Sequence, residues 1–454
     1  MVERTRGRFA ASFSRLRRRA HREKRDPYEV NVDPAMRPRD AERLGSALES
    51  VLAQREPATR RRMAAAVLAA YGKLNEVGRR RFFEQMAEQL APDPAAVDAA
   101  IKTVQDADSP VARVAAEREL RRVLTPRYAR LFHVFTGLPE GVKLLIDLRA
   151  DLLGYRGQDP SLRRLDDELS GHLSTLFDVG LLELQNITWE RSPAALLEKL
   201  IAYEAVHEIE SWEDLKHRLE GAQRCFAFIH PSMPDEPLVF VEVALTRGIA
   251  GDLPVLLGHA ETEAEVSEGD TAIFYSITSC QPGLAGIQLG NELIKHVVEE
   301  LRRDVPALRN FATLSPIPDF RTWAEKRLAN GDVTPGERAL FGDDLQFAAD
   351  LVGPDPVRRL GEGPRAGLLS MCARYLIGEG GKRAADSVAN FHLSNGARIE
   401  RLNWLANPAP YEIDRSFGIM VNYRYDLDSI AANVDGYLSS GTIEATGAVR
   451  DLVR

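Results

Sequence analysis

The sequence predicts an α+β protein of two domains, an all-helical bundle followed by a mixed α/β domain. Three observations carry that prediction. At 454 residues the chain is long enough for two full-sized cores. From about residue 40 to 185 one helix signal follows another. After Ile187 the texture changes to short β-branched or aromatic runs bounded by Pro or Gly. The expected division is a basic leader over 1–39, an all-helical domain for assembly over 40–186, and a mixed α/β domain over 187–454.

The leader comes first. Residues 1–27 hold ten Lys or Arg against three acids, while the whole chain carries a net charge of −8. The rest of the protein is therefore clearly acidic, which argues against nucleic acid as its partner. The leader itself reads as a mobile, solvated tail, with a targeting peptide or a nucleic-acid or membrane arm as the alternatives.

In the helical half, Asp159 is placed to cap a helix, Pro160 suits its first position and Gly180 a stop. Leu162, Leu165, Leu169, Leu173 and Leu176 then fall on one stripe. His133 and His172 read as packing or surface histidines, and nothing in this half suggests chemistry. Its free apolar faces suit an interface or packing on a second domain.

At Ile187–Pro193 the stretch ITWERSP ends the helical texture, and Ser192 with Pro193 opens one more helix. Strands are then expected at Cys225–His230, Leu238–Leu245, Ala272–Ile277, Asn310–Ser315, Phe391–Leu393, Ala397–Trp404 and Gly418–Tyr425. Cys225, Cys280 and Cys372 share no metal-ligand spacing and cannot all pair together, so a reducing compartment is the simpler expectation. No apolar run is long enough to cross a bilayer, so no membrane partner is expected.

One stretch raises a chemical question. TSCQPGLAGIQLGNELIKHVVEEL runs from a strand through Gly283, Gly286 and Gly290 into a helix with Leu293, Ile294, Val297, Val298 and Leu301 on one face. Unpaired N–H groups and partial positive charge at a helix N-terminus suit a phosphate, and glycine lets the backbone come close. The loop is neither a Walker A motif nor a dinucleotide fingerprint, and a tight structural turn remains the competing reading. Lys295, one turn into the helix, is a secondary candidate for meeting a phosphate, with an exposed lysine as the alternative. No G-x-S-x-G elbow and no H-E-x-x-H occur, so an ordinary α/β-hydrolase and a zinc site are not expected.

The strand, glycine loop and helix resemble the pyrophosphate-binding element of GNAT acetyltransferases. A wider resemblance covers most of the chain. HPSMPDEPLVFVEVALT, AIFYSITSCQPGLAGIQLGNELIK, NFATLSPIPDF, VANFHLSNGA and GIMVNYRY look like the malonyl-CoA decarboxylase family, in the same order. That resemblance implies a helical N-terminal domain, a GNAT-like acyl-CoA-binding catalytic domain, and conversion of malonyl-CoA to acetyl-CoA and carbon dioxide without biotin, flavin or metal. It implies a homotetramer as well. It places the coenzyme A pyrophosphate on Ala285, Gly286, Ile287, Gln288, Leu289, Gly290 and Asn291. A GNAT-type acyltransferase and a non-catalytic coenzyme-A-binding regulator are the alternatives. The chain ends in Leu452-Val453-Arg454 and not in Ser-Lys-Leu, so a cytoplasmic location is expected.

The chemistry sets its own demands. Loss of carbon dioxide from a malonyl thioester leaves an enolate, which calls for an oxyanion partner and a proton donor. Histidine suits the donor, since its ordinary pKa lies near working pH. Ser315 and His392 match the family's catalytic pair. On the residues alone, Ser315 would be a strand-end serine fixed by Pro316 and Pro318, and His392 a packed histidine in a short strand before the Asn395-Gly396 turn. His230, in a proline-rich turn, competes for the proton, and Tyr423, beside Arg424 in a run more typical of core or interface, is a further candidate.

Overall fold

The structure, a computed structural model, describes residues 27–157, 159–177, 179–258, 269–287, 290–342, 345, 347–378 and 383–453, with backbone alone at 179 and 290–293. The leader over residues 1–26 lies outside the described residues, as do Gln288 and Leu289 of the glycine loop. The chain forms two compact units, the first made of residues up to Leu182 with His230–Pro234 and Gln281–Gln288, the second of the rest.

The first unit is helical. Its helices Pro38–Ala53, Pro57–Tyr71, Glu76–Gln89, Pro94–Gln105, Pro110–Leu124, Arg127–Thr136, Gly141–Tyr155 and Pro160–Leu176 begin where the local chemistry directs. Glu56, Asp93, Ser109 and Asp159 each accept a first-turn backbone N–H, and a proline follows each of them at the first helical position. Leu162, Leu165, Leu169 and Leu173 are all buried, as the stripe predicts. Tyr71, Phe82 and Phe83 make a second cluster, with ring centroids 4.9 to 5.8 Å apart.

The second unit is built on one mixed sheet. Its strands are β1 (Glu183–Ile187), β2 (Gln223–Ile229), β3 (Pro237–Thr246), β4 (Thr271–Ser279), β5 (Asn310–Thr313), β6 (Ser315–Pro316), β7 (Arg398–Asn403) and β8 (Met420–Tyr425), in the order β1-β2-β3-β4-β5-β8-β6 with β7 also on β8. The β4–β5 pair is parallel, and the glycine loop and helix Gly290–Asp304 connect its two strands, as parallel pairing requires. Every other pair is antiparallel. In β3 all residues but Thr246 are buried, which explains its nearly continuous apolar run. Leu196, Leu197 and Leu200 of helix Ala194–Tyr203 and Leu215 of Trp212–His217 join Cys225, Ala227, Ile229 and Phe240 in one core cluster.

Two expectations need correction. Phe391–Leu393 is not a strand but part of helix Ser387–Ser394. Asp386 caps it through the Ala389 N–H at 2.8 Å, and Ala389, His392 and Leu393 are buried at helical i, i+3, i+4 spacing. Gly396, at φ +84°, then turns the chain in a conformation that suits glycine. Strand β1 is the other difference, since no strand signal marks it in the sequence. Only Ile187 of its five residues is buried, so it lacks the alternation that marks a strand.

Candidate active site

Strand β8 holds the centre of the candidate site. It pairs with β5 at Phe311 and Ala312 and with β6 at Ser315 and Pro316, so the chain crosses from one pairing to the next at Thr313 to Ser315. Asn422 secures that crossing, its amide donating to the Thr313 carbonyl at 2.7 Å and to the Ala250 carbonyl at 2.9 Å. Asn403 in turn donates to the Asn422 side-chain oxygen at 2.8 Å. A fully buried amide with all its partners fixes the backbone around Ser315.

Helix Ser387–Ser394 brings the histidine. His392 Nε2 lies 3.1 Å from Ser315 Oγ, and Nδ1 lies 2.8 Å from the Tyr425 hydroxyl. Ser315 donates its own hydroxyl to Thr313 Oγ1 at 2.8 Å, and Thr313 Oγ1 also accepts the Tyr423 N–H at 3.2 Å. With the Ser315 proton directed to Thr313, the serine oxygen accepts Nε2–H, and Nδ1 accepts the Tyr425 O–H. One continuous run therefore passes from Tyr425 through His392 and Ser315 to Thr313. The Tyr423 ring stacks on His392 with centroids 4.6 Å apart. The imidazole is 3% exposed, and burial pulls its pKa down from 6.5 to about 3. The ring at rest is thus neutral, whereas the sequence suggested a pKa near working pH. The same burial pushes the Tyr425 hydroxyl up, so it stays protonated and able to donate.

The other candidates are placed as follows. Tyr423 is fully buried, and its hydroxyl has no hydrogen-bond partner among the described residues. His230 belongs to the first unit, where Nε2 meets the Leu176 carbonyl at 3.1 Å and Nδ1 accepts the Ser232 N–H at 3.1 Å. Lys295 is exposed on helix Gly290–Asp304. Ile294, Val297, Val298 and Leu301 of that helix are buried. Ala285 and Gly286 are exposed and Ile287 is half-buried. His172 hydrogen-bonds to Thr136 at 2.8 Å, in keeping with a packing role. Thr313, Tyr425 and Asn422 were not singled out in the sequence, although GIMVNYRY contains two of them. Their partners are distant in the chain, so no local spacing marks them. Among the described residues, no three His, Cys, Asp or Glu side chains stand together as a metal site. No helix among them is long and apolar enough to cross a membrane.

Comparison with known proteins identifies the family. The sequence model of the malonyl-CoA decarboxylase C-terminal domain matches residues 180–454, and that of the N-terminal domain matches residues 90–177. The mitochondrial malonyl-CoA decarboxylase of Mus musculus is 36% identical over 434 residues, covering 88% of this chain and 87% of that protein. That of Rattus norvegicus is 38% identical over 363 residues, covering 74% and 73%. The crystal structure of malonyl-CoA decarboxylase from Agrobacterium vitis superposes with a TM-score of 0.82 at 37% identity, over 90% of this chain and 99% of that one. The enzyme from Rhodopseudomonas palustris gives 0.81 at 36% identity with the same coverage. The chain belongs to the malonyl-CoA decarboxylase family and is a carboxy-lyase of that activity.

Proposed function

We propose that this enzyme decarboxylates malonyl-CoA through His392 and Ser315, with Tyr425 as their proton-bearing neighbour. The supporting observation is the unbroken hydrogen-bond run from Tyr425 through both ring nitrogens of His392 to Ser315 and Thr313. The Cα–carboxylate bond breaks, its electron pair moves into the thioester as an enolate, and carbon dioxide leaves. Turned from Thr313 toward the substrate, the Ser315 hydroxyl is the donor suited to the thioester oxygen. Cα then takes a proton and acetyl-CoA is formed.

Because the empty ring is neutral, the proton arrives with the substrate. A malonyl carboxylate beside the imidazole favours the imidazolium and offsets the burial that disfavours it. The ring takes up a proton on binding, delivers it to Cα after carbon dioxide departs, and returns to neutrality. Mixing the enzyme with a non-decarboxylating malonyl-CoA analogue in weak buffer near pH 7 should consume protons, and His392→Asn should not. Binding without uptake in the unchanged enzyme would sink this mechanism.

The coenzyme A pyrophosphate is assigned to the glycine loop and helix start from Gly286 to Asn291, supported by the β4, loop, helix and parallel β5 order around them. Gly290→Val should weaken coenzyme A binding in a folded protein, and unchanged affinity would return the loop to a structural turn. The thioester is its own electron sink, so we assign no organic cofactor or metal. Activity that disappears on dialysis against a chelator would overturn that.

Self-association as a homotetramer is also proposed. Helices Pro94–Gln105 and Pro110–Leu124 bury only Ala100 and Ala116, and leave Ile101, Val111, Val114 and Leu124 exposed. A monomer in light scattering would refute it. Cys225, Cys280 and Cys372 are buried and outside any disulfide, which suits a reducing compartment such as the expected cytoplasm. The rodent relatives are named mitochondrial. Fluorescence from a fusion carrying the leader would decide between the two compartments.

A further inference from the structure

The glycine loop is gripped by an arginine that the sequence does not mark. Arg149 of helix Gly141–Tyr155 is 3% exposed, and its Nη1 donates to the carbonyls of Gly283 at 2.7 Å and Ala285 at 2.8 Å. Its Nε donates to Asp166 Oδ1 at 2.8 Å, and Asp166, 2% exposed, also pairs with Arg156. The guanidinium is thus aimed by one buried carboxylate and directs its Nη1 donors at the loop backbone. The loop lies directly on this helix, since a Cβ added at Gly283 would stand 1.9 Å from the Ile146 carbonyl oxygen.

Those two hydrogen bonds have a directional consequence. In a trans peptide, the carbonyl of one residue and the N–H of the next point in opposite directions. With the Ala285 carbonyl turned onto Arg149, the Gly286 N–H faces away from it. Gly286 is exposed at φ +81°, and nothing stands within 4 Å of where its Cβ would be. Neighbouring N–H groups are already used, that of Ala285 by the Pro282 carbonyl and that of Ile287 by the Leu284 carbonyl. No hydrogen bond among the described residues takes the Gly286 N–H.

We propose that Arg149 is a positioning residue for coenzyme A: by holding the Gly283 and Ala285 carbonyls it presents the Gly286 N–H to the pyrophosphate. This rests on the assignment of the loop as the pyrophosphate site. Arg149 does not touch the reacting atoms, so its effect belongs in KM and not in kcat.

The test compares malonyl-CoA with malonyl-pantetheine, which has the thioester but no pyrophosphate, in the full-length enzyme. Arg149→Met should raise KM for malonyl-CoA by about tenfold, the loss of one or two well-aligned hydrogen bonds. It should leave kcat within about twofold, and KM for malonyl-pantetheine unchanged. Arg149→Lys should recover part of the loss. Asp166→Asn, which keeps an acceptor for Nε, should give a smaller shift of the same kind and serves if Arg149→Met does not fold. If Gly290→Val selectively weakens malonyl-CoA but none of these variants does, the role of Arg149 is overturned and the loop site stands. If no variant, Gly290→Val included, separates the two substrates, the loop assignment fails and this inference fails with it. An equal rise in KM for both substrates with a lowered Tm would make Arg149 a structural residue only.

Discussion

His392 and His230 are both shielded histidines, and what they are wired to separates them. His230 lies between the Leu176 carbonyl and the Ser232 N–H. A carbonyl can only accept and an N–H can only donate, so the ring is held in one tautomer. His207 is likewise held in one tautomer, because Nε2–H donates to the Tyr275 carbonyl at 3.1 Å, while its Nδ1 lies 3.3 Å from the Tyr411 hydroxyl. His392 instead lies between two hydroxyls, Ser315 and Tyr425, each able to give or accept a proton. A histidine fixed by backbone groups holds structure, whereas one between hydroxyls can pass protons without breaking its contacts. Burial alone does not make the distinction, because it depresses the pKa of His207 to about 4 and that of His392 to about 3.

The largest expected effect breaks or upholds this contrast directly. His392→Asn should lower kcat by roughly 10² to 10⁴, the usual contribution of a general acid or base. His230→Asn and His207→Asn should keep kcat within a few-fold and cost thermal stability. Equal losses of carbon dioxide release in all three variants would erase the distinction.

Ser315→Ala should come next, at about 10²-fold, by the loss of one oxyanion donor. Combined with His392→Asn it should cost less than the two factors multiplied, because the residues share one run. Full multiplication in single-turnover rates would mean that they act separately. Tyr425→Phe removes only the Nδ1 partner and should slow turnover by about tenfold, a single hydrogen bond to the ring. Unchanged kcat there would remove Tyr425 from the reaction.

The smallest effect is on stability. For a histidine whose folded pKa is depressed, the unfolded chain binds the extra proton, so stability is complete above about 6.5 and falls as pH drops toward 3 or 4. Each buried histidine should contribute a slope of at most about 1.4 kcal/mol per pH unit in that window. Denaturant titrations of His207→Asn between pH 6.5 and 4 should show a shallower loss than the unchanged protein. Identical pH profiles would mean that His207 is not buried as described.

Much of the fold is legible in local chemistry. Asp159-Pro160, Asp93-Pro94 and Ser109-Pro110 each start a helix, because a cap and a fixed φ act within one turn and need no distant partner. Strands β2, β3, β4 and β8 are legible from dense apolar or aromatic runs. The exposed strand β1 gives no such signal, and Phe391–Leu393 misleads because three residues are too few to separate a helix from a strand.

The sequence by itself determined the helical half, the strand-rich half and, through its ordered blocks, the family, and it pointed to Ser315 and His392 as candidates. Only the tertiary structure decided what those residues touch. Ser315 and His392 are 77 positions apart, and Arg149 and Gly283 are 134 apart. The first contact follows from how helix Ser387–Ser394 packs by β8 and the second from how helix Gly141–Tyr155 packs on the glycine loop, which no local periodicity encodes. The neutral state of His392 has the same origin, since burial by the folded chain, and not the residue type, sets the charge of its ring.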